Sequence, residues 1–195
     1  LLSISSFAMA SGFDSDLVEK FSKGKSVIQN IYQLEGLGIN DFKLKETPWT
    51  STYLPALRGY NADPYATNGS NILSYKRNLN KSIKHAKKYN DGELELTTET
   101  IAKLSTSDKY DLLVGNFKTD ISLTKGLWNQ SNFLYEKFGS LTFWTGLCHG
   151  WAPAAIAHPA PTRTVYALSV DGKYEIPFYP NDIKGLLSTT FANNI

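Results

Sequence analysis

The stretch TFWTGLCHGWAPAAIAHP, residues 142–159, contains the only cysteine of the 195-residue chain and two of its three histidines. Gly146 and Gly150 flank Cys148, and the alanine-rich run after them favours a helix that ends at Pro159. The pattern predicts that Cys148 lies where a loop enters a helix. The thiol would then face the free N–H groups and the positive end of the helix dipole.

A nucleophilic cysteine needs a lowered pKa, access to solvent and donors for an oxyanion. Gly146 and Gly150 would let a substrate carbonyl approach the thiol closely. The backbone N–H of Cys148 is a natural oxyanion donor, and Trp144 could supply an indole N–H or a wall of the pocket. The same residues are also typical of a structural cysteine buried among tryptophans, so both interpretations stay open.

Pro153 affects where this helix can begin. If the helix began at Cys148, Pro153 would lie beyond the first turn, where its missing N–H costs about 3 kcal/mol. Either the helix begins nearer Gly150, with the thiol on the preceding turn, or it kinks. The spacing of the residues does not choose between the two.

A thiolate also needs a general base, which is usually a histidine. His149 would point away from the thiol on a helix, His158 lies at the far end, and His85 lies among lysines, where we expect it to be exposed. We therefore expect His149 to have a structural or electrostatic part. Adjacent Cys and His cannot readily share one tetrahedral ion, and no other residue completes a zinc site at ligand spacing.

The chain as a whole has an ordinary globular composition, with 42% hydrophobic and 13% aromatic residues. Its 20 basic and 18 acidic residues leave a net charge of +2, which gives no reason to expect a nucleic-acid or membrane partner. The opening LLSISSFAMASGFDSD resembles the end of a secretory signal peptide cleaved after Ala10. We interpret residues 1–10 as a signal-peptide remnant and expect a secreted, periplasmic or cell-wall protein without a membrane span. In such a protein an unpaired cysteine indicates a reactive thiol or a missing partner.

Helical signals dominate the first half of the chain. Apolar residues at helical spacing predict a helix over residues 17–37. A second helix is predicted over residues 72–89, and its apolar stripe is formed by Ile72, Leu79, Ile83 and Ala86. Its many lysines favour a solvated face over a basic groove. Residues 46–71, rich in Pro, Gly, Asn and aromatic side chains, predict a long ordered loop.

Further signals complete the fold class. STSDKYDLLVGN predicts a helix capped by Ser105 or Ser107 and ended by Gly115. Residues 164–178 predict a hairpin, with Asp171-Gly172 in a type I′ turn. PNDIKGLLSTTF predicts a following helix, with Asn181 or Asp182 near its cap. Helices followed by a hairpin favour an α+β fold.

Four ordered segments together resemble the elicitor-type transglutaminases, first associated with oomycete cell-wall glycoproteins and also found in bacteria. TPWTSTYLP is similar to the family's Pro-Trp-x-x-x-Tyr-Trp-Pro segment, with Leu54 where Trp is usual. LSTSDKYDLLVG resembles Ser-Pro-x-Glu-Lys-Tyr-Asp, with Thr106 replacing Pro and Asp108 replacing Glu. WTGLCHGWAPAA matches the nucleophile motif, and PNDIKGLLS resembles the Ser-Asp-Ile-Lys-Ala-Leu-Leu segment that follows it.

The resemblance implies a Cys-His-Asp acyl-transfer enzyme on a papain-like, transglutaminase-type α+β fold, with Cys148 as nucleophile. In this family the His and Asp lie downstream of the Asp-Ile-Lys segment, so we expect a C-terminally truncated chain. Residues 11–195 would be the N-terminal and nucleophile-bearing part of a single domain. We expect this part alone to be inactive, and the outer strand of the hairpin to be left as an unpaired edge.

The implied activity is that of a secreted protein-glutamine γ-glutamyltransferase. Its partners would be protein substrates, a glutamine donor and a lysine acceptor. No cofactor is predicted; transglutaminases can use calcium, but no acidic cluster in this chain has EF-hand spacing. The alternatives are a secreted papain-like thiol peptidase or amidase, which would use the same nucleophile, and a non-catalytic elicitor or binding protein.

Overall fold

The computed structural model describes residues 31–36, 38, 44, 46–66 and 74–193. The chain divides into two compact units, residues 1–45 with Ile195, and residues 46–194. In the first unit helix α1 spans Ile31–Gly36, within the helix predicted over residues 17–37. The rest of that predicted helix, and the signal-peptide remnant expected at residues 1–10, lie outside the described residues.

The second unit contains helices followed by a hairpin and a last helix. A 3₁₀ turn spans Ala56–Arg58, and after it come α2 (Tyr75–Asn90), α3 (Thr98–Ala102), α4 (Thr106–Leu113) and α5 (Leu123–Phe138). The remaining elements are α6 (Cys148–Ala157), strands β1 (Val165–Leu168) and β2 (Glu175–Phe178), and α7 (Pro180–Asn193). The predicted α+β class is confirmed. No helix in the described part of the chain is long and apolar enough to cross a membrane.

Two helices owe their ends to short polar residues and glycines. The Ser105 hydroxyl accepts a hydrogen bond from the N–H of Asp108 at 3.0 Å, which starts α4 as predicted. Gly115 follows α4 with φ 78°, the left-handed conformation that glycine adopts most easily. Helix α5 was not predicted, although Ser122 caps it by the same kind of bond and Gly139 ends it with φ 72°.

Helix α2 lies where a helix was predicted, and its predicted apolar stripe is confirmed at Leu79, which packs against the buried cluster around Trp128. The stripe is wrong at Ala86, which is exposed, and Ile72 lies outside the described residues. Its buried residues are Tyr75, Asn78, Ser82 and Tyr89. Ile83 is 56% exposed instead. Asn78 donates from Nδ2 to the carbonyl of Leu57 at 2.8 Å, and Ser82 accepts from the indole N–H of Trp128 at 3.1 Å. The inward face of α2 is thus defined by hydrogen bonds and tyrosines, with Leu79 as its aliphatic contact to the core.

Strands β1 and β2 form the predicted antiparallel hairpin, with Val165 opposite Phe178 and Leu168 opposite Glu175. The predicted type I′ turn is wrong, because it needs positive φ at both central residues and only Gly172 has it. Six residues, 169–174, connect the strands; the N–H of Gly172 donates to the carbonyl of Ser169 at 2.8 Å. Among the described residues the sheet has these two strands alone, so β1 keeps a free edge as expected.

Three clusters of buried apolar side chains hold the second unit together. One joins the 3₁₀ turn, α2 and α5 around Trp128, and it includes Leu147. Another lies between α3, α4 and the inward face of β2. The third is small and consists of Trp49 packed on Ala154 and Ala155 of α6. Two of the three clusters therefore contact the segment around Cys148.

Candidate active site around Cys148

Cys148 is the first residue of α6, and its thiol is free and exposed. The N–H groups of Gly150 and Trp151 donate to the carbonyl of Leu147 at 3.0 and 2.9 Å, which sets the start of the helix. Leu147 makes no side-chain cap bond, so no side chain of its own competes for the first-turn N–H groups. The predicted loop-to-helix junction at Cys148 is confirmed.

Pro153 lies inside α6. The sequence left open a later helix start or a kink, and the helix in fact begins at Cys148 and contains the proline. Because Pro153 has no N–H, it cannot donate to the carbonyl of His149 four residues earlier. The turn that carries the thiol thus lacks one of the hydrogen bonds of a regular helix.

The two glycines beside the thiol serve a different purpose from the one expected. A Cβ on Gly146 would overlap the carbonyl oxygen of Tyr53, and a Cβ on Gly150 would overlap the carbonyl oxygen of Ser188. The loop pairs with the 47–55 segment here, since the N–H of Leu147 donates to Tyr53 at 2.9 Å. The glycines therefore make room for the chain's own backbone and not for a substrate carbonyl.

Trp49 fixes the position of α6. It is 6% exposed, and its indole N–H donates to the carbonyl of His158, at the end of the helix, at 3.0 Å. The indole N–H of Trp151 returns a bond to the carbonyl of Trp49 at 3.2 Å. From α7, Lys184 donates to the carbonyl of Thr50 at 2.7 Å. The segment before the 3₁₀ turn is thereby tied to both α6 and α7.

Trp144 is 65% exposed, and its ring lies edge-on to Phe143 at a centroid distance of 4.8 Å. This geometry places it on the surface of the loop before the thiol. It is bonded to no described group that would orient its indole N–H. The role of Trp144 as an oxyanion donor or pocket wall stays a prediction.

The histidines are dispersed. His149 and His158 are exposed, and the ring of His158 lies 5.7 Å from that of Phe191. His85 was expected to be exposed but is half-buried against Tyr89; burial lowers its pKa, and the charge of Lys88 adds to the shift. In the part of the chain that the structure describes, none of them hydrogen-bonds to the Cys148 sulfur. Within the same part, no group of three or more His, Cys, Asp or Glu could hold a metal ion.

A buried ion pair that the sequence patterns did not predict joins α4 to α7. Lys109 donates to Asp182 at 2.7 Å, and both side chains are 0% exposed. The carboxylate of Asp182 also accepts from Thr106 at 2.6 Å, from the hydroxyl of Tyr65 at 2.9 Å and from the N–H of Tyr179 at 2.8 Å. The ammonium of Lys109 lies 4.2 Å from the ring centre of Tyr179. Thr106 is buried, whereas Tyr65 and Tyr179 are partly exposed and cover the pair on its outer side.

The surroundings of the pair shift two pKa values. Burial lowers the pKa of Lys109, while the hydrogen bond and charge of Asp182 oppose that shift. Burial also raises the pKa of Tyr65 well above its usual range, and the Asp182 charge adds to it. The Tyr65 hydroxyl therefore stays protonated at neutral pH and remains a donor to the carboxylate.

A pocket of about 130 Å³ lies near the beginnings of α4 and α5, and Cys148 is not among its lining residues. Two carboxylates line it. Asp108 accepts from Ser105 at 2.7 Å and Thr124 at 2.8 Å, and burial, with a further contribution from Asp111, raises its pKa to about 6. Asp111 accepts from the N–H of Leu123 at 2.6 Å and so caps α5. Both carboxylates therefore accept hydrogen bonds that stabilise the first turns of α4 and α5.

The four segments singled out in the sequence meet in one place. The 47–55 segment pairs with the loop before Cys148, α6 packs on α7, and α7 is joined to α4 by the buried ion pair. Comparison with protein-family models, with curated proteins and with solved structures gave no match to the chain.

Proposed function

We propose that the protein is an exported thiol acyltransferase of the transglutaminase type, with Cys148 as its nucleophile. The observation that carries the proposal is the exposed free thiol on the first residue of α6. The positive end of the helix dipole favours a negatively charged group at this position, such as the thiolate that attacks in acyl transfer. The resemblance of the four segments to elicitor-type transglutaminases supplies the substrate class.

The proposed reaction has two steps. The thiolate of Cys148 attacks the side-chain amide carbon of a protein-bound glutamine. The amide nitrogen takes up a proton, the C–N bond breaks, and ammonia leaves. The product is a thioester between Cys148 and the glutamyl group. The amine of a lysine then attacks the thioester carbon, loses a proton and forms an isopeptide bond, and the thiolate is released. Water in place of the amine would give deamidation.

The backbone N–H groups of Cys148 and His149, which do not donate to the carbonyl of Leu147, support the proposal, because such groups can hold the oxyanion of the tetrahedral intermediate. The packing of α6 supports it as well. The bonds of Trp49 and Trp151 and the close approach of α7 at Gly150 hold the nucleophile helix in one position. In a papain-like fold we expect a nucleophile helix followed by an antiparallel hairpin, and α6, β1 and β2 follow one another in that order. The papain-like fold is therefore part of the proposal.

The general base is the part that the described residues do not supply. None of His85, His149 and His158 bonds to the thiol in the described part of the chain, and a base must come within ~3 Å or act through one water. The resemblance implies a His and an Asp as the other members of the triad, and the proposal assigns these roles to no described residue.

The test is amine incorporation by the full-length protein. A fluorescent primary amine is offered with a glutamine-bearing acceptor protein, and Cys148→Ala is compared with Ala152→Ser, which changes an exposed residue of the same helix. We expect the first variant to lose all incorporation and the second to retain it. Incorporation by Cys148→Ala would reject the nucleophile.

Two further readouts separate the alternatives. Peptide-bond cleavage that depends on Cys148, without amine incorporation, would favour the thiol peptidase. Alkylation of Cys148 in the folded protein reports the reactivity of the thiol, and a rate no greater than that of the unfolded chain would favour a non-catalytic elicitor or binding protein.

A further inference from the structure

The charge of this protein is concentrated on one helix. Helix α2 contains six Lys or Arg residues and no Asp or Glu, whereas the whole chain has a net charge of only +2. The other residues of the chain therefore carry a net charge of −4, the difference between +2 and +6. The near-balance seen in the composition conceals a local excess of positive charge.

The basic residues of α2 share one face. At 100° per residue all six lie within an arc of about 140°, opposite the buried side of the helix. Four of them follow one another at spacings of four, three and four residues and form a narrow line, here called the basic stripe: Arg77, Lys81, Lys84 and Lys88. With a rise of 1.5 Å per residue, the stripe is about 16 Å long.

Three of the four positive charges of the stripe have no carboxylate partner among the described residues. Arg77, Lys84 and Lys88 are exposed and make no ion pair with a carboxylate of the described residues. Like charges three and four residues apart destabilise a helix. The helix thus carries a repulsion that an external anion lying along the stripe would relieve.

The side chains that α2 exposes favour some classes of anionic partner over others. Helix α2 contributes no aromatic ring to the basic arc, since Tyr75 and Tyr89 are buried. The ring of Tyr135 from α5 lies 5.5 Å from the ammonium of Lys76, but it is half-buried and already stacked on Tyr75, so the face offers no free platform on which bases could stack. Ile83 is the only large apolar side chain that α2 exposes, which is too little to anchor a helix in a bilayer interface. The face offers cations in a row and the amide of Asn80, which is exposed within the same arc.

We propose that the basic stripe of α2 binds a linear anionic polysaccharide, a chain whose sugars carry carboxylate or sulfate groups and hydroxyls. The anionic groups would pair with the row of cations, at steps comparable to the length of a sugar residue. The sugar hydroxyls would hydrogen-bond to Asn80. The proposal does not depend on the chemistry of Cys148, because α2 and the thiol are on different elements and binding needs no catalysis.

The test measures binding of the full chain to heparin, which carries sulfates, and to polygalacturonate, which carries carboxylates. The variant Arg77→Gln/Lys81→Gln/Lys84→Gln/Lys88→Gln is compared with a control that removes the same charge from four other exposed lysines: Lys103→Gln/Lys125→Gln/Lys137→Gln/Lys173→Gln. Circular dichroism checks that both remain folded. Single-stranded poly(dT) and vesicles of anionic lipid serve as competing ligands at the same salt concentration.

We expect the stripe variant to lose more than tenfold in affinity, and the control variant to stay within threefold of the original chain. The slope of log K against log salt should fall by roughly 3, because each of the four cations contributes about 0.7 to that slope when it pairs with a single-stranded polyanion. Binding to heparin alone would identify sulfate as the ligand group, and binding to polygalacturonate alone would identify carboxylate. Equal losses in both variants, or tighter binding to poly(dT) or to the vesicles, would overturn the proposal.

Discussion

The buried ion pair between Lys109 and Asp182 allows a sharp prediction, because its two members depend on it to different degrees. Asp182 accepts four hydrogen bonds, and only one of them comes from Lys109. Replacing Lys109 by Met would leave the carboxylate three donors. Replacing Asp182 by Asn would leave an ammonium that is 0% exposed without its counter-charge. We expect Asp182→Asn to be the more damaging change.

The magnitude follows from general values for such pairs. Removing one partner of a buried ion pair costs about 3–5 kcal/mol, and a hydrogen bond to a charged group contributes about 1.5–3 kcal/mol. For Asp182→Asn we expect about 4–5 kcal/mol, the upper part of that range. For Lys109→Met we expect about 2–3 kcal/mol, because the methionine refills the aliphatic space and the carboxylate keeps its other donors. Either loss is large against a typical stability of about 5–15 kcal/mol.

The assay is urea unfolding of the full chain at pH 7, followed by circular dichroism. The double variant Lys109→Met/Asp182→Asn should be about 1–3 kcal/mol more stable than Asp182→Asn alone, since no charge is then left buried. Lys103→Met is the matched control; Lys103 pairs with Glu99 at the surface, and its loss should cost at most about 0.5 kcal/mol. The reasoning is refuted if Asp182→Asn costs no more than Lys109→Met, or if the two single effects add in the double variant.

Other expected outcomes concern the thiol, the packing of its helix and pH. Cys148→Ala should abolish amine incorporation and change the unfolding free energy by at most about 0.5 kcal/mol, because the side chain is exposed. Gly150→Ala should lower the free energy of unfolding in urea by about 1–3 kcal/mol, since its methyl group would overlap the carbonyl oxygen of Ser188. Gly126→Ala, which has open space around it, should raise the free energy of unfolding by up to about 1 kcal/mol. A loss at Gly126 as large as that at Gly150 would contradict this. Because the pKa of Asp108 is raised from 3.8 to about 6, its contribution to stability is greatest below pH 3.8 and is lost as the pH rises through about 6. That loss should be on the order of 2 kcal/mol, and Asp108→Asn should remove it from urea midpoints measured between pH 3 and 8.

Local signals in the sequence were sufficient where a helix end depends on a few neighbouring residues. Ser105 and Gly115 predicted the limits of α4, and the alanine-rich run after Cys148 predicted α6. The same kind of signal at Ser122 and Gly139 would have located α5. These features depend on contacts within one turn of the chain, so the residues on either side of a boundary are enough to predict it.

Predictions from the sequence were wrong where the role of a side chain depends on a partner that is distant along the chain. Asn78 and Ser82 face inward because Leu57 and Trp128 need hydrogen-bond partners, and a search for aliphatic spacing cannot detect that. Gly150 was interpreted as an opening for substrate, yet its neighbour is α7, almost forty positions further along the chain. The helix start at Cys148 was predicted correctly, but the buried pair between α4 and α7 joins residues too far apart in the sequence for spacing to connect.

Several buried contacts of this unit join residues that are far apart along the chain, and this affects how the protein folds. Lys109 and Asp182 are separated by 73 residues, and Asn61 reaches across 128 residues to Thr189. Contacts of such long range are slow to form, because the entropy of closing the loop is lost before the contact repays it. As synthesis proceeds from the N-terminus, Lys109 stays hydrated and α6 has no helix to pack on until α7 has been made. We therefore expect the contacts between α4, α6 and α7 to form together, and only after α7 has been synthesised.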